Sequence, residues 1–237
     1  MVRLSININK VALLRNSRGG NSPDVIKAAI DCEAYGADGI TVHPRPDERH
    51  IRFSDLAPLK EAIKTELNVE GYPDKRFVDT VLQIKPRQVT LVPDGPSQLT
   101  SDHGWDIEKY QSFLQDIIFE LKAAGIRTSI FLDPSPSLCE IAAKTGTDRI
   151  ELYTESYASK YLKSKQNAIE PYIATAREAA ILRLGINAGH DLNLENLHYF
   201  KANVPGLLEV SIGHALISDA LYYGLQNVTG MYLRLLK

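Results

Sequence analysis

The segment RTSIFLDPSPSLCEIAAKTGTDRIELY, residues 127–153, contains one complete strand–helix–strand unit. Its first apolar run, residues 127–133, is rich in β-branched and aromatic side chains and predicts a buried strand. The helix predicted at residues 135–145 ends at Gly146, and a second apolar run follows at residues 149–153. Two strands joined through a helix pair in parallel, so this segment predicts an α/β protein.

The same alternation extends over all 237 residues. Strands are predicted at residues 4–9, 39–43, 67–71, 88–92, 127–133, 149–153, 185–188 and 207–212. Helices are predicted at residues 24–35, 54–67, 74–84, 106–124, 135–145, 167–184, 194–202 and 215–236. One strand–helix unit takes about 30 residues, so we predict a single-domain (β/α)8 TIM barrel over residues 1–237. An open doubly wound sheet is the alternative, although its usual glycine-rich turn does not follow the first strand.

The composition is that of an ordinary globular protein, with 44% apolar and 24% charged residues. A formal net charge of −2 gives no electrostatic reason to expect nucleic acid or an anionic membrane as a partner. No apolar run approaches the roughly 18 residues of a membrane span, and the N-terminus lacks signal-peptide features. Cys32 and Cys139 form no disulfide framework. We therefore predict a cytoplasmic protein.

Two predicted connections are unusually long, at residues 10–23 after the first strand and at residues 93–105 after the fourth. Long loops inside a compact domain are commonly functional. We expect the loop at residues 93–105 to become ordered when a ligand binds, because closure of a site excludes water from reactive intermediates.

Polar side chains gather at the carboxyl ends of the predicted strands, where the active sites of such barrels lie. They include Asn7, Asn9, Lys10, His43, Arg45, His50, Glu70, Thr100, Glu151, His190 and His214. Taken singly, each also fits a structural role, such as a histidine satisfied within the fold or an arginine on a solvated loop. Their convergence on one rim indicates a catalytic site.

Two glycine-containing turns follow the last two predicted strands, NAGH at residues 187–190 and SIGH at residues 211–214. Glycine lets backbone N–H groups approach a ligand, and the N-terminus of a helix favours an anion. Phosphate sites in barrels recur after these two strands. The pair of turns therefore predicts a phosphorylated ligand.

Metal and nucleotide sites have little support, because HExxH, EF-hand, CxxC…CxxC, GxGxxG and P-loop patterns are all missing. A metal held by His43, Glu70 and His190 is geometrically conceivable. Lys10 is a candidate for the Schiff base of an aldolase, although nothing in the sequence indicates the burial that would lower its pKa.

Seven stretches carry a resemblance to one enzyme family. They are ININKVALLRNSRGG (6–20), GADGITVHPRPDERHI (36–51), NVEGY (68–72), LVPD (91–94), RIELYT (149–154), INAGH (186–190) and SIGHALI (211–217). In this order and spacing, the chain resembles the pyridoxine 5′-phosphate synthases of deoxyxylulose-dependent vitamin B6 biosynthesis. The resemblance implies a TIM barrel with extra helices, assembled as a homo-octamer.

The resemblance also implies a reaction. In this family, 3-amino-2-oxopropyl phosphate condenses with 1-deoxy-D-xylulose 5-phosphate to give pyridoxine 5′-phosphate, inorganic phosphate and water. It implies no metal and no organic cofactor. Joining an amine to a ketone and then aromatising the ring requires several proton transfers, which acid and base groups on different strands can supply.

Roles for single residues follow from the same resemblance. It implies that His43 and Glu70 accept protons, that His190 donates one, and that Glu151 stabilises charge in the transition state. Contacts with 3-amino-2-oxopropyl phosphate are implied for Asn7, Arg18, Gly213 and His214. Contacts with the deoxyxylulose phosphate are implied for Asn9, Lys10, Arg45, His50 and Thr100. Asp191 follows the NAGH motif, where many members have glycine, and is expected to contact substrate through its backbone N–H.

Two other functions are compatible with the residues alone. One is a different phosphosugar enzyme, an aldolase or an isomerase, built on the same barrel. The other is a non-catalytic barrel that binds a phosphorylated metabolite and regulates a partner.

Overall fold

A parallel sheet that closes on itself forms the centre of the protein, as seen in a computed structural model that describes residues 1–95 and 101–237. Its strands are β1 (Arg3–Asn7), β2 (Gly39–Val42), β3 (Glu66–Gly71), β4 (Gln88–Leu91), β5 (Arg127–Leu132), β6 (Arg149–Leu152), β7 (Gly185–Gly189) and β8 (Leu207–Ile212). Each strand pairs with the next, and β8 pairs with β1 with Leu4 opposite Val210. The predicted barrel is confirmed, and the open sheet is excluded.

Eleven helices lie in residues 1–95 and 101–237, three more than predicted. They are α1 (Asn9–Asn16), α2 (Val25–Ala34), α3 (Phe53–Ala62), α4 (Lys75–Ile84), α5 (Ile107–Ala123), α6 (Pro136–Lys144), α7 (Glu155–Tyr161), α8 (Lys165–Ile181), α9 (Leu197–Asn203), α10 (His214–Tyr223) and α11 (Leu225–Leu236). The predicted loop at residues 10–23 was wrong, because α1 occupies much of it. Helix α1 buries only Ala12 and Arg15, so it has no apolar stripe that the sequence could reveal.

Two further predicted helices differ from the structure. The helix predicted at residues 215–236 is broken into α10 and α11 at Gly224, which has a φ of 78°. Glycine takes this left-handed conformation without steric conflict, so the chain turns there. The helix predicted at residues 54–67 ends at Ala62, because Glu66 and Leu67 belong to β3.

The two faces of the strands carry different kinds of buried side chain. Apolar residues such as Ile6 and Val42 belong to the core cluster that also contains the buried faces of the helices. Residues at alternate positions are buried and polar, namely Ser5, Thr41, Asn68, Gln88, Thr90, Ser129, Glu151, Asn187, Glu209 and Ser211. Since alternate residues of a strand point to opposite faces, the barrel interior is polar and its outer face is apolar.

At the amino end of the barrel, the charged side chains of this interior pair with one another through ion pairs and hydrogen bonds. Glu66 accepts from Arg3 at 2.8 Å and also from Arg127, while Glu209 pairs with Arg3 at 2.9 Å. Burial opposes ionisation of Glu66, but the hydrogen bonds and charges of Arg127 and Arg3 outweigh it and lower the pKa of Glu66 to about 2. The cluster joins strands β1, β3, β5 and β8 across the barrel.

Replacing Glu66 with Gln is expected to lower the free energy of unfolding by about 1–2 kcal/mol at neutral pH, since part-exposed, charge-assisted hydrogen bonds are lost. The pKa of Glu66 lies below its usual 4.5, so the ionised carboxylate stabilises the fold above that pH. Its contribution is lost as the pH falls toward about 2.

Urea unfolding of the wild type and Glu66→Gln, at pH 7 and again at about pH 3, should therefore give a difference that shrinks at the lower pH. Glu140→Gln is the control, because Glu140 pairs with Lys144 on an exposed helix surface. A difference of the same size at both pH values would contradict this account of the pKa of Glu66.

Candidate active site

A cavity of about 400 Å³ lies at the carboxyl ends of the strands. Its lining includes most of the predicted site residues, namely Asn7, Asn9, Lys10, His43, Arg45, His50, Glu70, Glu151, His190, Asp191, Gly213 and His214. Arg18 lies in an exposed turn after α1 and is not among the described residues of this lining. Thr100 lies outside the described residues. The fold thus brings together side chains from strand ends that are far apart in the sequence.

His43 and Glu70 face each other in this cavity, with His43 Nδ1 lying 4.0 Å from Glu70 Oε2. The backbone N–H of His43 donates to Asn9 Oδ1 at 2.9 Å, and the N–H of Asn9 donates to Asn7 Oδ1 at 3.0 Å. These bonds tie the end of β2 to the start of α1. Asn9 therefore helps to place His43.

The carboxyl groups of Glu70 and Glu151 favour their protonated form. Burial, together with the like charges of Glu151 and Asp94, raises the pKa of Glu70 well above its usual value. Burial and the charge of Glu209 raise the pKa of Glu151 to about 8, although a hydrogen bond from Thr90 opposes the shift. In the described chain, Glu151 Oε2 is buried without a hydrogen-bond partner. These groups can donate protons at neutral pH.

The two histidines of the cavity lining, His43 and His50, favour their neutral form. Burial and the nearby Arg45 charge lower the pKa of His43 well below its usual value. Burial, Arg45 and Lys10 lower the pKa of His50 to about 4. The two rings lie 6.2 Å apart. A neutral imidazole can accept a proton, so the cavity holds neutral bases and protonated acids side by side.

His190 is held at the rim in an unusual backbone conformation, with a φ of 56°. Its Nδ1 lies 2.7 Å from Asp191 Oδ2, and its ring meets the ring of Tyr153 edge-on with the centroids 5.6 Å apart. The backbone N–H of Asp191 donates to Thr154 Oγ1 at 3.3 Å. In this structure, Asp191 thus faces His190 through its carboxylate and Thr154 through its N–H.

One part of the cavity is suited to an anion. Helix α10 begins at His214, directly after Gly213, and both residues line the cavity with Ser211 and Ala215. The first N–H groups of a helix lack intrahelical acceptors and carry partial positive charge. A Cβ on Gly213 would lie 3.0 Å from the side chain of Asn7, so glycine keeps this approach open.

A second positive group of the lining lies on the loop after β2. Arg45 is buried, and its Nη2 donates to Asp94 Oδ2 at 2.6 Å. Arginine suits phosphate recognition, because its planar guanidinium can present two donors to two oxygens. The cavity therefore has two separate positive regions, one at the start of α10 and one at Arg45.

Helix α1 holds the segment that carries His50. Arg15 forms a two-point ion pair with Asp55, at 2.7 and 2.9 Å, and also donates to the carbonyl oxygen of His50 at 3.1 Å. Asn16 Nδ2 donates to three successive carbonyl oxygens, those of Glu48, Arg49 and His50. The loop after β2 and the first helix thus form one hydrogen-bonded unit.

Sequence reasoning missed several residues around the cavity. Val92, Ser101, Phe131, Asn193, Ser211 and Ala215 also line it. Ser211 lies in the SIGH turn, so a motif did point to its position. Asp94 lies in the LVPD stretch that carries the resemblance, but its role was missed because it depends on a contact with Arg45 on another strand end. Ser101 had no signal, because its place in the site comes from a hydrogen bond to Asp94.

Two alternatives, a Schiff-base lysine and a metal site, can be compared with the structure. Lys10 is exposed at the start of α1, and so lacks the burial that activates a Schiff-base lysine. Within residues 1–95 and 101–237, no group of three or more His, Cys, Asp or Glu side chains is arranged to hold a metal ion. In the same ranges, no helix is long and apolar enough to span a membrane.

Comparison with known proteins agrees with this geometry. A family model described as pyridoxal phosphate biosynthesis protein PdxJ matches residues 4–237. The chain belongs to this family. A pyridoxine 5′-phosphate synthase from Christiangramia forsetii is 59% identical over 237 residues, which is 100% of both chains. One from Bacteroides thetaiotaomicron is 57% identical over 232 residues, 98% of each chain. The resemblance is confirmed, and with it the prediction of an enzyme of this family.

Solved structures with the same fold are distant in sequence. N-(5′-phosphoribosyl)anthranilate isomerase from Pyrococcus furiosus has a TM-score of 0.63 and 12% identity, covering 100% of this chain and 98% of its own. Tryptophan synthase from M. tuberculosis has a TM-score of 0.66 and 12% identity, covering 100% and 94%. At these identities the likeness shows the barrel fold alone.

The raised pKa of Glu151 can be measured directly. Infrared difference spectra should contain the C=O band of a protonated carboxylic acid that is lost as the pH rises through about 8 and that Glu151→Gln removes. Glu209→Gln should move this titration to lower pH, because it removes a like charge that disfavours the ionised form. A band that titrates near pH 4.5, the usual value for glutamate, would contradict the assignment.

Proposed function

We propose that the protein is a pyridoxine 5′-phosphate synthase that condenses 3-amino-2-oxopropyl phosphate with 1-deoxy-D-xylulose 5-phosphate, releasing inorganic phosphate and water. The observation that carries the proposal is one cavity lined by His43, Glu70, Glu151 and His190 together with two positive regions, at Arg45 and at the start of α10. The family match over residues 4–237 supports the same reaction.

The two positive regions suit two phosphorylated substrates. In this proposal the phosphate of 3-amino-2-oxopropyl phosphate binds at Gly213, His214 and the start of α10, near Asn7. The phosphate of the deoxyxylulose substrate binds near Arg45 and His50, with Thr100 as a further contact predicted from the sequence. Two anions held at separate places bring the amine of one substrate toward the ketone of the other without bringing their charges together.

The protonation states of the cavity fit the chemistry. When an amine nitrogen bonds to a ketone carbon and the C=O bond becomes C=N, the oxygen leaves as water and needs protons. Glu70, Glu151 and His190 are the proposed sources. Closing and aromatising the ring removes protons from carbon, and neutral His43 is the proposed first acceptor. The raised pKa of Glu70 means that it accepts a proton only after donating its own.

The assembly and location belong to the same proposal. Exposed apolar side chains, Leu13 and Leu14 on α1 and Leu221 and Tyr222 on α10, support a homo-oligomer, which we propose is an octamer. Helices α1 and α10 contact each other, so these side chains lie on adjoining elements. Action in the cytoplasm remains a prediction from the sequence.

The direct test is to mix the purified protein with both phosphorylated substrates and to assay pyridoxine 5′-phosphate by chromatography and absorbance. The wild type is expected to form it. Glu70→Gln and His190→Asn are expected to lower kcat by roughly 10²-fold or more each, the scale of a general acid–base contribution. Lack of product from the wild type would reject the function, and near wild-type turnover in both variants would reject their roles.

An aldolase working through Lys10 would give a different result in the same sample. Borohydride would then trap a substrate adduct on Lys10, which mass spectrometry of the digested protein would detect. The proposed synthase forms no such adduct.

Arg45→Met is expected to weaken the affinity for the deoxyxylulose phosphate by roughly 1.5–3 kcal/mol, the loss of a charge-assisted hydrogen bond. The affinity for 3-amino-2-oxopropyl phosphate should change little, because that phosphate binds at α10. Isothermal titration of each substrate separately checks both statements. Equal weakening of both substrates, or of neither, would reject the two-site assignment.

A further inference from the structure

We propose that Asp94 is a positioning residue for Arg45, because its carboxylate, also bonded by Ser101, holds the guanidinium at the cavity wall where the deoxyxylulose phosphate binds. The inference rests on the proposed function, since it takes Arg45 as a contact of that phosphate. It adds two residues, Asp94 and Ser101, that act on the site without being assigned to it.

The contact between Asp94 and Arg45 is short and shielded from water. Arg45 Nη2 lies 2.6 Å from Asp94 Oδ2, and the two side chains are only 5% and 1% exposed. A buried guanidinium without a counter-charge is strongly disfavoured, so Asp94 is what allows Arg45 to remain at this depth. Arg45 lines the cavity, whereas Asp94 is not among the described residues that line it. Asp94 thus acts through Arg45.

Ser101 fixes the carboxylate in turn. Its Oγ donates to the same oxygen, Asp94 Oδ2, at 2.6 Å, and Ser101 itself lines the cavity. The other oxygen, Asp94 Oδ1, is buried and has no hydrogen-bond partner in the part of the chain that the structure describes. Both contacts therefore converge on one oxygen atom, which orients the carboxylate toward Arg45. A guanidinium carries five N–H donors, so pairing one nitrogen with Asp94 is compatible with binding an anion.

The charges of Arg45 and Asp94 also change the pKa values of the groups that are proposed to transfer protons. The charge of Arg45 lowers the pKa of both His43 and His50. The charge of Asp94 raises the pKa of Glu70, whereas that of Arg45 lowers it. Displacement of Arg45 would therefore be felt by both histidines and by Glu70. A role limited to holding the fold together predicts no such effect.

The first test is the affinity of Asp94→Asn for each substrate, measured by isothermal titration without turnover. The affinity for the deoxyxylulose phosphate is expected to fall about 10-fold, and that for 3-amino-2-oxopropyl phosphate to stay unchanged. Ser101→Ala, which keeps the ion pair, should give a smaller loss of about 3-fold. Asp94→Glu retains the charge and should recover much of the affinity. Circular dichroism and thermal melting establish that each variant is folded.

A matched control uses a carboxylate at the opposite end of the barrel. Asp148 pairs with Lys122 and accepts from the backbone N–H of Thr128, before the start of β6. Asp148→Asn therefore removes a paired, partly buried charge far from the cavity. It should leave both substrate affinities unchanged.

The decisive measurement is a double-mutant cycle. If Asp94 acts through Arg45, then Asp94→Asn weakens binding of the deoxyxylulose phosphate in the wild type and has no further effect in Arg45→Met. Equal weakening in both backgrounds overturns the proposal. So does an affinity that Asp94→Asn leaves unchanged or tightens, and so does equal weakening of both substrates.

The dependence of kcat on pH gives a readout that lost stability alone would not move. The charged or titratable groups around His43 are Glu70 at 4.0 Å, Arg45, His50 and Arg49. Displacing Arg45 removes a positive charge that adds to burial in lowering the pKa of His43, so in Asp94→Asn the limb that reports His43 should move to higher pH. An unshifted profile counts against the proposal.

The outcomes separate this inference from the proposed function. If the wild type makes no pyridoxine 5′-phosphate but the binding cycle shows coupling between Asp94 and Arg45, the reaction is wrong and the positioning role stands. If the wild type makes the product and the cycle shows no coupling, the reaction stands and the positioning role is wrong.

Discussion

The hydrogen bonds between β1 and β8 close the sheet, and the geometry of the cavity depends on that closure. They bring the end of the first strand against the last turn of the barrel, so that a Cβ on Gly213 would lie 3.0 Å from Asn7. Strands β7 and β8 approach even more closely, because a Cβ on Gly189 would lie 2.2 Å from the carbonyl oxygen of Ser211. Without closure, the residues at the two ends of the chain would form separate surfaces.

The polar interior has a direct electrostatic effect on the cavity. Buried charges interact strongly, because little water lies between them. Glu209, which is paired with arginine at the amino end, still raises the pKa of Glu151. Arg45 acts in the opposite sense on Glu70, and it adds to the larger effect of burial in lowering the pKa of both neighbouring histidines. The same set of side chains therefore supports the barrel and sets the protonation of its active groups.

The sequence predicted the strands well, because strands buried on both faces appear as short apolar runs between turn residues. It missed α1, whose buried face carries Arg15, and the break at Gly224, where glycine interrupts an apolar pattern. Strand ends and glycine turns identified most of the cavity. Asp94 lies in a stretch that carries the resemblance, but its role was not predicted, because that role depends on Arg45, 49 residues away in the chain. The role of Arg18 rests on the resemblance alone, because Arg18 is not among the described residues that line the cavity.

The backbone conformation of His190 sets the stability of the fold against the activity of the enzyme. A residue with a side chain at a φ of 56° is disfavoured relative to glycine by roughly 1 kcal/mol. Glycine at this position would relieve that strain, and would also remove the imidazole beside Tyr153. Screening variants for heat resistance alone would therefore select against the imidazole that we propose as a proton donor. At this turn, optimising the fold and optimising the enzyme lead to different amino acids.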